Sequence, residues 1–403
     1  MTVRPIAGGI TAARGFAASS ARAGLRSGPG HDVVLIASEA GPVPAAATFT
    51  TNRLQAAPVT VSKHALRTSR GRAAAVIANA GCANAGTGAA GIEDARRTRA
   101  LVAQRAGIAE RHVLVASTGL IGSRLDVDRI ASVLPELRPR SGREAGTAAA
   151  KAIMTTDTRP KEAAVEIDLG RGRTARIGGM AKGAGMIHPQ MATMLAFLTT
   201  DAPLEPPALA AALRAIVDRT FNQVSVDGDP STNDTVFLLA GGAAGGTSLA
   251  GRRLDAFVEG LETVCRSLAQ QIAADGEGAR HRIDVTVTGA RTDAEARRIA
   301  RAVASSNLVK SAVHGGDPNW GRIAAAAGRA GAALEPDRLR VRIGDIEVYA
   351  GEPVAFDERA ASRALQGRVV EIGLELGIGS GTGAAWGCDL SAEYVTINSE
   401  YRT

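Results

Sequence analysis

Residues 178–201 (GGMAKGAGMIHPQMATMLAFLTTD) gather side chains able to do chemistry: Lys182 among glycines, then His188, then Thr193 at the head of an apolar run. A glycine-rich loop lets backbone approach a ligand, and a lysine within it can hold an anion. Residues 194–198 read as a buried strand that starts at Thr193. The plainer alternative is a tight loop before a core strand, which needs only ordinary turn chemistry. Upstream, Ser117, Thr118 and Gly119 offer a hydroxyl and a backbone amide of the kind that stabilise an oxyanion, or simply a turn that ends a strand. Asp227, Asp229 and Asp234 lie close in sequence but lack the full calcium-loop pattern, so they read as a hydrogen-bonded turn and no metal is expected. Taken singly, Glu277 reads as a loop acid and Asn398 as a turn former. The glycines at 377–383 (GIGSGTG) match a dinucleotide turn only superficially, because no βαβ pattern surrounds them.

These residues need a scaffold. β-Branched runs at 32–37, 74–78 and 113–116, each stopped by Gly or Ser/Thr clusters, read as strands, and 92–106 and 126–134 carry helical spacing. In the second half, 207–217, 254–274 and 293–305 read as helices, 284–288 and 339–343 as alternating strands, and 369–376 with 394–397 as closing strands. Many strands follow one another without an intervening helix, which predicts a layered α/β protein with substantial antiparallel sheet. A length of 403 residues fits two lobes or one large layered unit. Aromatics are only 3% of the chain while 47 residues are glycine, so small aliphatic side chains must fill the interior.

The net charge of +7 is spread along the chain, and without a basic stripe or aromatic platform nucleic acid is not an expected partner. Three scattered cysteines, Cys82, Cys265 and Cys388, fit neither a disulfide framework nor a zinc site. The first residues lack a signal-peptide pattern and no apolar run reaches membrane-spanning length, so a soluble, cytoplasmic protein without a membrane partner is expected.

The pattern KGAGMxxPxMATML resembles the cleavage and nucleophile motif of the ornithine acetyltransferase family. It stands in family order with ASTGLIG at 116–122, MTTDTRPK at 154–161, DGDPSTNDT at 227–235, DGEGA at 275–279, GGDPNWGRI at 315–323 and NSEYRT at 398–403. The resemblance implies an N-terminal-nucleophile-like αββα fold and autocatalytic scission between Ala192 and Thr193. The products would be an α chain, 1–192, and a β chain, 193–403, that stay together, paired into a heterotetramer. It also implies that Thr118 and Gly119 form the oxyanion site. Substrate would meet Thr156, Lys182, Thr193, Glu277, Asn398 and Thr403; which of Thr155, Thr156 and Thr158 makes the contact is left open.

The implied chemistry is coherent. A threonine hydroxyl is a poor nucleophile without a base, and an N-terminal threonine carries its own base in the α-amine. An acetyl group would pass from N-acetylornithine to glutamate through an ester on Thr193. One amide is exchanged for another, so no cofactor is obligatory, although acetyl-CoA is a conceivable second donor. Lys182 suits an amino-acid carboxylate and Glu277 a side-chain ammonium. With the amine as base, His188 reads as a loop-packing residue. Cys82, Arg280, His281 and Asn307 depart from the family pattern, leaving two enzymatic alternatives: a specialised acetyltransferase for other basic amino acids, or a self-processing aminopeptidase. A binding protein that keeps only the scaffold is a further alternative.

Overall fold

The computed structural model describes residues 2–170, 172–188 and 194–400. Among these residues two sheets lie face to face. The larger has seven strands, ordered Val3–Ile6, Lys161–Gly170, Arg173–Lys182, Leu195–Thr200, Thr235–Ala240, Val43–Phe49 and Arg72–Ala73. The smaller has four: Phe16–Ala21, Val33–Ser38, Ala75–Cys82 and Val113–Leu120.

Strand periodicity sorts their side chains into layers. Leu195 and Phe197 point between the sheets, where they meet Met180, Phe237, Val34, Ile36, Val76 and Leu114. Their neighbours Ala196 and Leu198 point the other way, onto Leu213, Phe257, Val264 and Leu268 of the helices Pro206–Arg219 and Arg252–Ala273. The outer face of the four-stranded sheet, with Leu35, Ile77 and Val115, packs on Val61, Val102 and Ile130 from the helices Ala57–Thr68, Gly88–Ala106 and Val127–Val133. Helix, sheet, sheet, helix is the αββα order expected.

A third sheet of six strands is built from the C-terminal part, with Val224–Ser225 joining its edge beside Gly381–Cys388. It packs its apolar face on the helices Asp293–Ala304 and Trp320–Gly328. The glycines at 377–383 serve this packing: a Cβ on Gly381 would lie 2.3 Å from the Thr292 carbonyl carbon, and one on Gly383 2.4 Å from the Arg297 nitrogen.

One predicted strand is a helix. Residues 394–397 belong to the helix Ala392–Glu400, whose start is fixed by the Ser391 hydroxyl accepting the Tyr394 N–H at 3.3 Å. The β-branched residues there have no sheet edge to join, and the helix buries none of its residues fully. Sequence also missed the long antiparallel hairpin Lys161–Gly170 with Arg173–Lys182, whose second strand carries a key lysine.

Candidate active site

Lys182 is the last residue of a central strand, not a loop residue. The glycine-rich loop begins one residue later. Antiparallel pairing sets Lys182 opposite Leu195, so the chain just upstream of Leu195 arrives beside the lysine. Lys182 is 3% exposed, and its Nζ donates to Thr155 Oγ1 at 2.7 Å and to Thr118 Oγ1 at 3.3 Å. Burial pushes its pKa down and Lys161 adds to this, while Asp157, Glu277 and Asp234 pull it back.

A buried ionic clamp holds the turns around it. Lys161 Nζ lies 2.6 Å from both Asp157 Oδ1 and Asp275 Oδ2, with all three side chains almost wholly enclosed. Asp157 also accepts the Gly183 N–H at 2.7 Å, and Asp275 accepts the Thr158 hydroxyl and, at 3.1 Å, its N–H. Burial alone would raise the pKa of Asp157, but Lys182, Lys161 and the Gly183 N–H outweigh it and hold the group at about 2. The clamp therefore ties the 154–158 turn, the loop after Lys182 and the 275–278 turn into one rigid unit.

Glu277 sits on the last of these turns. Its N–H donates to the Ala184 carbonyl at 2.9 Å, and its carboxylate accepts Asn398 Nδ2 at 2.8 Å. Gly185 must be glycine for this approach, since a Cβ would fall 2.3 Å from Glu277 Oε2. Ser117, Thr118 and Gly119 are not the turn expected but the last part of the strand Val113–Leu120, paired with Asn79, Ala80 and Gly81, and Asn233 pins it by donating its Nδ2 to the Ser117 and Ala83 carbonyls at 2.8 and 2.7 Å. Gly119 has φ +129, and a Cβ there would stand 2.3 Å from the Gly81 carbonyl carbon, so no side chain fits.

The structure thus brings Thr118, Gly119, Lys182, Glu277 and Asn398 to one side of the central sheet. Thr156 is half-buried and makes no side-chain hydrogen bond among the described residues, whereas Thr155 engages Lys182 and Thr158 engages Asp275. Ala192, Thr193 and Thr403 lie outside the described residues. Met194, the next residue after Thr193, is buried, donates its N–H to Asp234 Oδ1 at 2.9 Å, and accepts the Thr235 N–H at 3.1 Å.

Sequence reading missed Asp157, Lys161 and Asp234. The first two carried a signal, an Asp and a Lys four apart in MTTDTRPK. The sequence places Asp234 in one hydrogen-bonded turn with Asp227 and Asp229. Asp227 is such a residue: it accepts the N–H groups of Met186, Ile187 and Asp229, and burial, against those bonds, puts its carboxyl at about 6. Asp234 instead faces Met194.

His188 is half-buried, with its Nδ1 3.2 Å from Ser225 Oγ, in keeping with a packing role. Of the departures, Cys82 is buried at a bulge beside Thr118 and its Sγ donates to the Ser123 carbonyl at 3.3 Å. The N–H groups of Arg280 and His281 both donate to Asp389 Oδ1 at 2.8 Å, which leaves the Arg280 side chain exposed. Solvent then screens its charge from Glu277.

Comparison with known proteins shows the family of the chain. Arginine biosynthesis bifunctional protein ArgJ of Symbiobacterium thermophilum is 48% identical over 403 residues, 99% of each chain. The protein of the same name from Synechococcus sp. is 48% identical over 410 residues, 99% of this chain and 98% of that one. A crystal structure of ArgJ from Bacillus halodurans aligns at 43% identity over 50% of this chain and 97% of that chain, with a TM-score of 0.49. The ArgJ family model matches residues 17–403, and with full-length relatives at this identity the chain belongs to the ArgJ family.

Proposed function

We propose that this chain cuts itself between Ala192 and Thr193 and then moves an acetyl group from N-acetylornithine to glutamate through an ester on Thr193. The broader statement, an acetyltransferase enzyme of arginine biosynthesis, follows from family membership. The observation that carries the finer reading is the enclosed Lys182. It joins the Thr118 and Thr155 hydroxyls and lies in register with the strand that leads directly from Thr193.

In the first step the Thr193 hydroxyl attacks the Ala192 carbonyl carbon, the chain shifts from nitrogen to oxygen, and water hydrolyses the ester. The product has a free amine beside the hydroxyl. That amine takes the hydroxyl proton when Oγ1 attacks the acetyl carbonyl, and returns it to the departing ornithine amine. Thr118 Oγ1 and the Gly119 N–H face the oxyanion in each tetrahedral intermediate. Lys182 holds the substrate carboxylate, with Thr156 beside it. Glu277, oriented by Asn398, takes the side-chain ammonium of ornithine. Thr403 completes the substrate contacts.

The strands Leu195–Thr200 and Thr235–Ala240, after the proposed cut, lie between strands from before it in one sheet, which supports fragments 1–192 and 193–403 remaining a single body. Two such bodies would form the heterotetramer, measurable as mass in solution. The deciding experiment is intact mass spectrometry before and after N-acetylornithine. Two fragments, the C-terminal one gaining a single acetyl group, are expected. Acetyl exchange at full rate by a chain that never splits, or by Thr193→Ala, overturns the reading.

A further inference from the structure

A cavity of about 360 Å³ opens where the helices of the large sheet meet the six-stranded sheet, and it shares no residue with the site around Lys182. Three guanidiniums reach it from three elements. Arg219 closes the helix Pro206–Arg219, Arg266 stands on Arg252–Ala273, and Arg297 lies near the start of Asp293–Ala304. The strand Arg282–Ala290 adds Thr288 and the strand Gly381–Cys388 adds Thr382, whose hydroxyls make no hydrogen bond among the described residues.

The opposing charge is thin. Glu262 is shared between two arginines, lying 3.0 Å from Arg219 Nη2 and accepting Arg266 Nη2. Arg297 Nη2 donates at 3.1 Å to Asp218, which stands outside the cavity lining. Asp293, the other carboxylate of the lining, already accepts the Thr382 N–H at 2.8 Å. Each guanidinium therefore meets a carboxylate through Nη2 alone, and its Nε and Nη1 donate no hydrogen bond among the described residues; the Nε of Arg219 is enclosed and unpaired. Arg219 and Arg266 keep 41% of their side-chain surface exposed and Arg297 20%, and ion pairs in such settings contribute little to stability. Folding energetics do not account for gathering three of them around a hollow.

We propose that this cavity binds a phosphate group, free or carried by a small phosphomonoester, at a site separate from acetyl transfer. A planar carboxylate is matched by the fork of one guanidinium, whereas donors arriving from three elements suit the tetrahedral oxygens of phosphate. The volume lies in the range of small-molecule sites and leaves room for an organic part beside the phosphate. Arg219 and Arg266 belong to the layer beneath the large sheet, and Arg297, Thr288 and Thr382 to the six-stranded unit. An occupant joins the two and raises the thermal midpoint of the chain.

Isothermal titration of the whole chain with inorganic phosphate, glycerol phosphate and succinate, at matched ionic strength, tests this. Saturable binding of a phosphate compound with Kd below about 1 mM is expected, with succinate at least about tenfold weaker. Tighter binding of glycerol phosphate assigns the site to an ester, and equal or tighter binding of inorganic phosphate assigns it to the free ion. Arg297→Gln should weaken binding about tenfold or more by removing one charged donor. Glu262→Gln should act in the opposite direction, tightening binding about threefold, because Arg219 and Arg266 no longer share a carboxylate. That reversal of sign is what a set of surface ion pairs with no ligand does not produce. Should Arg297→Gln fail to fold, Glu262→Gln decides alone: unchanged or weaker phosphate binding overturns the proposal. So does wild type that binds no phosphate compound saturably, or that binds succinate as tightly.

Discussion

Lys182 and Asp157 illustrate how one enclosed cluster sets opposite protonation demands. Removing the ammonium by Lys182→Met, which keeps much of the volume, should lower kcat/KM for N-acetylornithine at least about 100-fold, since a buried charge-assisted contact to substrate is lost. Steady-state exchange assays check this; a change of less than about threefold contradicts the assignment. Asp157 makes a stability prediction. Its carboxyl sits at about 2, below the ordinary 3.8, so its stabilisation is present above about pH 4 and is lost as pH falls toward 2. The depression corresponds to about 2 kcal/mol. Asp157→Asn should be less stable than wild type near neutrality, with the two denaturation curves converging in acid. Parallel curves over the whole range would show that the clamp is not titrating as described. The role of the clamp was illegible beforehand, because Asp157 and Asp275 are 118 residues apart in sequence and only the fold brings both to Lys161.

At the scale of elements, two glycines separate activity from packing. Gly119→Ala forces a side chain into a left-handed backbone and against Gly81, so it should both distort the proposed oxyanion site and destabilise the chain by more than about 1 kcal/mol. Gly383→Ala pushes the helix Asp293–Ala304 off its sheet and should cost about 1–3 kcal/mol while leaving turnover per folded molecule near wild type. Thermal melts beside rate measurements distinguish the two. The long amphipathic helices and alternating strands were legible because their burial follows local periodicity: the predicted helix at 254–274 is Arg252–Ala273. Residues 394–397 were misread for the complementary reason. Their β-branched composition favours a strand, but a strand requires an edge to pair with, and pairing is a property of the whole chain. The placement of Lys182 at a strand end is hidden in the same way, since Gly178 and Gly179 before it read as loop while they pair with both neighbouring strands of a sheet.

For the whole molecule, the strand Leu195–Thr200 lies between Arg173–Lys182 and Thr235–Ala240, hydrogen-bonded on both sides. Fragments produced by scission should co-elute in native size exclusion and separate only in denaturant; two peaks without denaturant would contradict this. A chain severed before folding would have to rebuild this sheet from two separate pieces, so the proposed cut would follow folding. There is a longer-lived consequence for the amine that scission releases. Met194 is 3% exposed and built into the sheet through Asp234 and Thr235, so under the proposed scission an enclosed residue would stand second from the new chain end, ill placed for the cleft of a trimming peptidase. If Thr193 is the reactive first residue, as proposed, that burial would protect it from the ordinary erosion of N-termini.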